Sequence, residues 1–333
     1  MKALVLKDIH KLDYETNWNQ PPLPEGWAMV NVKASGICGS DLPRIYQTGA
    51  YHHPLIPGHE FSGIITESGS SEYQPGTPVA VLPIIPCRAC SGCQVGPFHC
   101  TYYDFIGSRR DGGYAEYCAV PTQNLFRLPD GFNLEEGAFI EPIAVTLHVL
   151  RRSGMKPGSS VLVFGGGAIG ILTAQWAKIL GASKVILADI RQESLQIAET
   201  CGIVSTVNPL ADAFKDIGTF DYIYEAAGST QALLSAIQAA EDCATLTIVG
   251  REVNEIRIPI QDFEKMMRKE LTLKGCWGYD LDQDTSFLYK ILEEKQLVLS
   301  PMITHRVQLQ EGPEIIEKMW KKEFYYCKVM FIL

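Results

Sequence analysis

The run VLVFGGGAIG sets Gly165, Gly167 and Gly170 in a G-x-G-x-x-G spacing, directly after an apolar stretch and at the head of a helix-like one. The first glycine permits a tight strand-to-helix turn. The second lets a pyrophosphate approach the backbone, and the third lets helix pack closely on strand. The opening residues of the helix, Ala168 and Ile169, then present amides and positive dipole to an anion. VILADI follows and puts Asp189 nineteen residues beyond Gly170, the distance at which an acidic residue meets the adenine-ribose hydroxyls. A carboxylate there repels a 2′-phosphate, so NAD is expected over NADP. Arg191, two residues on, is placed to cover the adenine and leaves room for some NADP use.

The rest of the chain is read outward from this turn. From Glu141 onward, helix-like and strand-like runs alternate: IAVTLHVLRRSG, VLVFGG, AIGILTAQWAKILGA, VILADI, QESLQIAETCG, FDYIYEAAG, TQALLSAIQAA and ATLTIVG. Such alternation predicts a doubly wound parallel sheet over 141–274. Residues 1–140 instead carry short alternating runs such as KALVLK, AMVNVKAS and FSGIITES, punctuated by PPLPEG, QPGTP and LPDGF, which predicts an irregular β-rich domain. After LTLKGCWGY a helix and the strand KVMFIL follow, so 275–333 is expected to return to the first domain. The predicted class is α/β, with a β-rich domain interrupted by a nucleotide-binding one, in line with 333 residues being too many for one ordinary core.

A net charge of −9 argues against a nucleic-acid partner. MKALVLKDIH alternates like a strand and lacks a signal peptide's apolar core, and 161–180 holds Gln175 and Lys178 among glycines, too polar for a membrane span. A soluble cytoplasmic protein acting on a small molecule is expected. The ten cysteines then read as thiols or metal ligands rather than disulfides.

Cys87, Cys90, Cys93 and Cys100 form C-x-x-C-x-x-C-x6-C, with polar and small residues in the gaps, a spacing suited to a closed structural zinc site. His99 is the alternative to Cys100 as fourth ligand. A second set is dispersed: Cys38 in GICGSD, His59 and Glu60 in PGHEFSG, and Glu141 in FIEP. Each alone is weak, because a lone His or Cys is more often packed in a core than bound to metal. Together they offer mixed ligands of the kind that hold a catalytic zinc with an open position, and such a zinc eases hydride loss from an alcohol to nicotinamide. Ser40 stands ready to accept or relay the proton. Two zinc ions per chain are expected.

GICGSD, PGHEFSG, the four-cysteine lobe, FIEP and the glycine–Asp189 pair occur in an order that resembles the zinc-containing medium-chain dehydrogenases over essentially the whole chain. The resemblance implies a GroES-like β-rich catalytic domain and a Rossmann domain. It also implies Cys38, His59 and a carboxylate as zinc ligands, with Glu60 and Glu141 exchanging direct and water-mediated roles. Glu60 after His59, and Glu141, are similar to the polyol branch, and the longer phrases CGSDLPRIYQTGAYHHP, YDFIGSRRDGGYAEY and RKELTLKGCW resemble its bacterial polyol-phosphate dehydrogenases. Relatives imply a homo-oligomer, dimer or tetramer, with pairing around ATLTIVG and LTLKGCW.

Three positions depart from the family pattern: the lobe has six residues between Cys93 and Cys100 where seven are usual, Pro43 stands at the relay-histidine position of liver-type enzymes, and Gly278–Tyr279 replaces an Arg–Tyr pair. A phosphomonoester favours arginine. Arg44, six residues after Cys38, is the first phosphate candidate. Arg109 and Arg110 follow, each equally well read as pairing with Asp104 or Asp111 to hold a loop. Trp277 and Tyr279 are expected to line the substrate pocket. Competing readings are a dehydrogenase of free polyols or vicinal diols, and a non-catalytic NAD(P)-binding redox sensor, whose kind usually lacks the dispersed zinc ligands.

Overall fold

A computed structural model of the protein describes residues 1–211, 214, 216–252 and 255–333. The chain divides into two compact units, one of Met1–Glu141, Ser286–Glu293 and Ile303–Leu333, the other of Pro142–Thr285 and Glu294–Met302.

The first unit is built on a sheet with the order Ile303–Gln308, Lys328–Ile332, Trp27–Gly36, Glu60–Ser68, Pro78–Val81 and Leu125–Arg127, while Tyr117–Pro121 also pairs with Trp27–Gly36. Only the Ile303–Gln308 and Lys328–Ile332 pair is parallel. Period-two alternation explains the long strand. In WAMVNVKASG, Ala28, Val30, Val32 and Ala34 are wholly buried, and Val30 and Val32 share a core with Phe61, Ile65, Val79 and Val120. Burial of each such side chain contributes about 1.5–3 kcal/mol.

In the second unit six parallel strands run in the order Thr206–Val207, Lys184–Ala188, Ser160–Phe164, Phe220–Glu225, Ala240–Ile248 and Thr272–Gly275. Numbered along the chain this order is 3-2-1-4-5-6, that of a Rossmann fold. Val161, Leu162 and Val163 are buried because parallel sheets are covered on both faces. The two-residue strand at Thr206 is too short to show in the hydrophobic pattern.

The boundary expected at 275 falls later. Thr272–Gly275 is the sixth strand of this sheet, 276–285 stays with it, and 294–302 joins the same unit. The Gln175 side chain explains the last segment: its Oε1 accepts from Val298 N at 2.7 Å and its Nε2 donates to Val298 O at 3.1 Å. Ala240–Ile248, expected at a subunit edge, is flanked on both sides, which leaves Thr272–Gly275 at that edge of the sheet.

Candidate active site

Three neighbouring strands of the first unit position the site. Gly36 pairs with Glu60 on one side and Met330 on the other, and Lys328 lies two residues before Met330. A Cβ at Gly36 would stand 2.6 Å from Glu60 Oε2 and 3.3 Å from Lys328 Cδ. With glycine there, Lys328 Nζ reaches Glu60 Oε2 at 2.5 Å, both side chains being almost fully buried.

Where the Trp27–Gly36 strand ends, the chain turns through Cys38. Asp41 N donates to Cys38 O at 3.0 Å, and Cys38 N donates to Asp41 Oδ2 at 3.3 Å. His59 directly precedes the strand that Glu60 begins. Ligand atoms of Cys38, His59 and Glu60 thereby come within 4.8 Å of one another. Ser40 Oγ donates to Cys38 Sγ at 3.3 Å.

Behind this triad stands Asp41, wholly buried, which the sequence reading passed over. Its Oδ1 lies 3.4 Å from His59 Nδ1 and accepts from Arg44 Nη1 at 2.8 Å, and its Oδ2 accepts from Tyr114 OH at 2.7 Å. Burial opposes its charge, but His59 above all, then Arg44 and Tyr114, outweigh it and hold the carboxyl at about 2. His59 Nδ1 facing a carboxylate leaves Nε2 for a metal, the arrangement in which ligating histidines are commonly held. Glu141, in the first turn of the helix Ile140–Ser153, lies outside the triad yet close enough to feel it. Burial pushes its carboxyl up to about 7; Glu60 and Asp41 add to the rise, while His59 and Lys328 oppose it. Thiolate, imidazole and carboxylate at this spacing fit zinc with a position left open.

Cys87, Cys90, Cys93 and Cys100 also converge within 4.8 Å, and the set is completed by Cys100 rather than His99. Sulfur separations of 3.8, 3.6 and 3.9 Å join Cys87–Cys93, Cys90–Cys93 and Cys90–Cys100. Four thiolates about 2.3 Å from one tetrahedral zinc stand about 3.8 Å apart, so the lobe fits the ion. Short 3-10 turns at Ser91–Gln94 and Pro97–His99 take up the six-residue gap.

In the second unit Gly165 has φ +100, and a Cβ at Gly170 would stand 1.7 Å from Gly165 O, so helix and strand approach as only glycine allows. Nothing lies within 4 Å of a Cβ built on Gly167. Gly167 caps the helix Ala168–Ile179 without a side-chain bond, leaving the amides of Ala168 and Ile169 facing outward from the first turn. Asp189 Oδ2 accepts from Gly166 N at 2.6 Å and its Oδ1 from Arg191 N at 2.7 Å, which fixes the carboxylate beside the glycine turn.

Comparison with known proteins identifies the family. The model of the alcohol dehydrogenase GroES-like domain matches residues 24–130, and that of the zinc-binding dehydrogenase domain matches 168–294. Galactitol 1-phosphate 5-dehydrogenase of Escherichia coli K12 is 39% identical over 291 residues, covering 83% of this chain and 84% of its own length. The chain belongs to the zinc-binding medium-chain dehydrogenases. Its fold superposes on a crystal structure of galactitol-1-phosphate dehydrogenase from Escherichia coli with a TM-score of 0.91, at 34% identity and full coverage of both chains. A probable D-xylulose reductase A of Aspergillus clavatus is 31% identical over 341 residues, 95% of this chain and 93% of its own.

The predicted substrate residues of this dehydrogenase are distributed unevenly. Arg44 is mostly buried and gives one edge of its guanidinium to Asp41. Arg110 pairs with Asp104, as the loop-holding alternative has it, whereas Arg109 stacks between Tyr51 and Tyr103. In the second unit Trp277 is 68% exposed and Tyr279 is buried. Lys328 had no signal in KVMFIL, since a lysine opening an apolar strand ordinarily faces solvent. Asp41 had one: it lies three residues after Cys38 in GICGSD.

Proposed function

We propose that this dehydrogenase oxidises a secondary hydroxyl of a polyol phosphate, galactitol 1-phosphate to tagatose 6-phosphate, with NAD and with two zinc ions per chain. The observation that carries the reading is the convergence of Cys38, His59 and Glu60 with Asp41 behind the imidazole. Zinc held there supplies Lewis-acid polarisation of the alcohol oxygen, and NAD the hydride acceptor. The protein's own part is to hold that constellation. Asp41 orients His59, Lys328 and Gly36 fix Glu60, and Ser40, whose hydroxyl contacts Cys38 Sγ, is the residue through which the alcohol proton leaves. Pro43 offers no proton path, so the relay runs through Ser40 and solvent. Asp189, already anchored by two backbone amides, keeps lone pairs for ribose hydroxyls and disfavours a 2′-phosphate.

The phosphate is supported by the likeness to galactitol 1-phosphate 5-dehydrogenase and by arginines in the unit that holds the triad. A free-polyol reading is favoured by the commitment of Arg44 to Asp41 and by the likeness to a D-xylulose reductase. Initial rates on galactitol 1-phosphate, galactitol, sorbitol and 2,3-butanediol, each with NAD and NADP, decide between them. A kcat/KM at least tenfold higher for galactitol 1-phosphate is expected; parity with galactitol overturns the phosphate assignment. No turnover of any alcohol by the zinc-loaded protein would favour a redox sensor.

A homodimer through the Rossmann sheet edge is also proposed. The edge strand Thr272–Gly275 carries the exposed Leu273, and the helix Ile260–Arg268 exposes Ile260, Phe263 and Met267. An apolar stripe beside an open strand edge is what a second copy covers. Light scattering on wild type and on Phe263→Asp tests it: a monomeric wild type removes the proposal.

A further inference from the structure

Arg109 is held by aromatic rings rather than by an acid. Its guanidinium carbon lies 4.1 Å from the ring centre of Tyr51 and 4.2 Å from that of Tyr103, and its Nε is buried without a hydrogen-bond partner. Stacking fixes the plane of the fork and leaves at least its Nε–H without a partner. The neighbouring carboxylates are engaged elsewhere. Asp104 takes Arg110, Asp111 accepts from Ile56 N at 2.9 Å, and Asp41 takes Arg44 and Tyr114.

The cluster is also tied in place. Arg109 N donates to Phe105 O at 2.9 Å, and His52 Nε2 lies 3.0 Å from Arg109 O, which joins the loop bearing Tyr51 to the turn bearing Arg109. Tyr51 is 66% exposed, so the cluster meets solvent on that side. Partial burial works against ionisation of the Tyr51 phenol, but Arg109, and behind it Tyr103 and Arg44, outweigh it and hold the phenol below its ordinary range. Two phenols and the Arg109 guanidinium therefore meet where, among the described residues, no carboxylate pairs with Arg109. Phe105, four residues before Arg109, packs edge-on against the zinc-site residue His59, with ring centres 5.6 Å apart, so the turn that carries Arg109 also touches the triad.

We propose that Tyr51, Tyr103 and Arg109 form the subsite for the phosphate monoester of the substrate, an assignment that rests on the polyol-phosphate reading above. The guanidinium offers a planar fork to a dianion, and the phenols donate from either side.

Two measurements test it. Tetranitromethane nitrates tyrosine as the phenolate, so Tyr51 should be nitrated early in the zinc-loaded enzyme, and inorganic phosphate should slow that nitration severalfold, as mapped by peptide mass. For kinetics, Tyr51→Phe keeps the stacked ring and removes the hydroxyl, while Arg109→Gln and Arg109→Lys separate charge from shape. The ratio of kcat/KM for galactitol 1-phosphate to that for galactitol should fall at least tenfold in Arg109→Gln, less in Tyr51→Phe, and partly recover in Arg109→Lys. Equal proportional losses on both substrates, or nitration indifferent to phosphate, overturn the subsite. A wild type that prefers galactitol 1-phosphate while showing those results keeps the function and loses the site. A wild type without that preference, but with phosphate-protected Tyr51, loses the function and keeps an anion site.

Discussion

Lys328 and Glu60, distant in sequence, meet through the gap that Gly36 leaves between their strands, with Lys328 Nζ 2.5 Å from Glu60 Oε2. Both side chains are almost fully buried, so each charge depends largely on the other.

Removing one partner of such a pair strands the other. Lys328→Met is expected to destabilise the first unit by about 3–5 kcal/mol, and Lys328→Met/Glu60→Gln by clearly less. Urea unfolding of the three proteins checks this; an additive double variant refutes the coupling. Burial lowers the Lys328 pKa, but Glu60 and Cys38 outweigh it and hold the ammonium above its ordinary value of 10.5. Its stabilising contribution is therefore complete below that value and lost only as pH climbs through strong alkali.

Asp41→Asn keeps the size of the side chain and removes the charge that faces His59 Nδ1. Zinc affinity at the Cys38 site should drop by about 10–100-fold. Chelator competition that counts zinc per chain reads the loss directly, and an unchanged affinity would deny Asp41 its positioning role.

For the cysteine lobe, Cys93→Ser should release one zinc per chain and open 87–100 to proteolysis, with the Cys38-site zinc retained. Metal analysis and limited digestion together test this. Full zinc content in the variant would mean that the four sulfurs do not hold an ion.

Asp189→Gly removes the carboxylate that would repel a 2′-phosphate, along with the acceptor for Gly166 N. The NADP to NAD ratio of kcat/KM should rise by about tenfold or more, mostly through weaker NAD use. A ratio that does not move places cofactor choice elsewhere.

The sequence by itself determined most of the elements and which side chains they carry. Period-two runs marked the long strands, the glycine spacing marked the tight strand-to-helix turn, and the cysteine spacing marked four thiols that converge, because each of these signals is local and repeats over a few residues. Tertiary structure decided what depends on strands far apart in the chain. Only sheet register sets Gly36 against both Glu60 and Met330 and so delivers Lys328 to a buried carboxylate. Only the fold turns Asp41 toward His59, gives Arg44 to Asp41 and threads Arg109 between Tyr51 and Tyr103. The physical reason is that the cost of burying a charge falls on whichever partner the packing supplies, and that partner has no fixed distance along the chain.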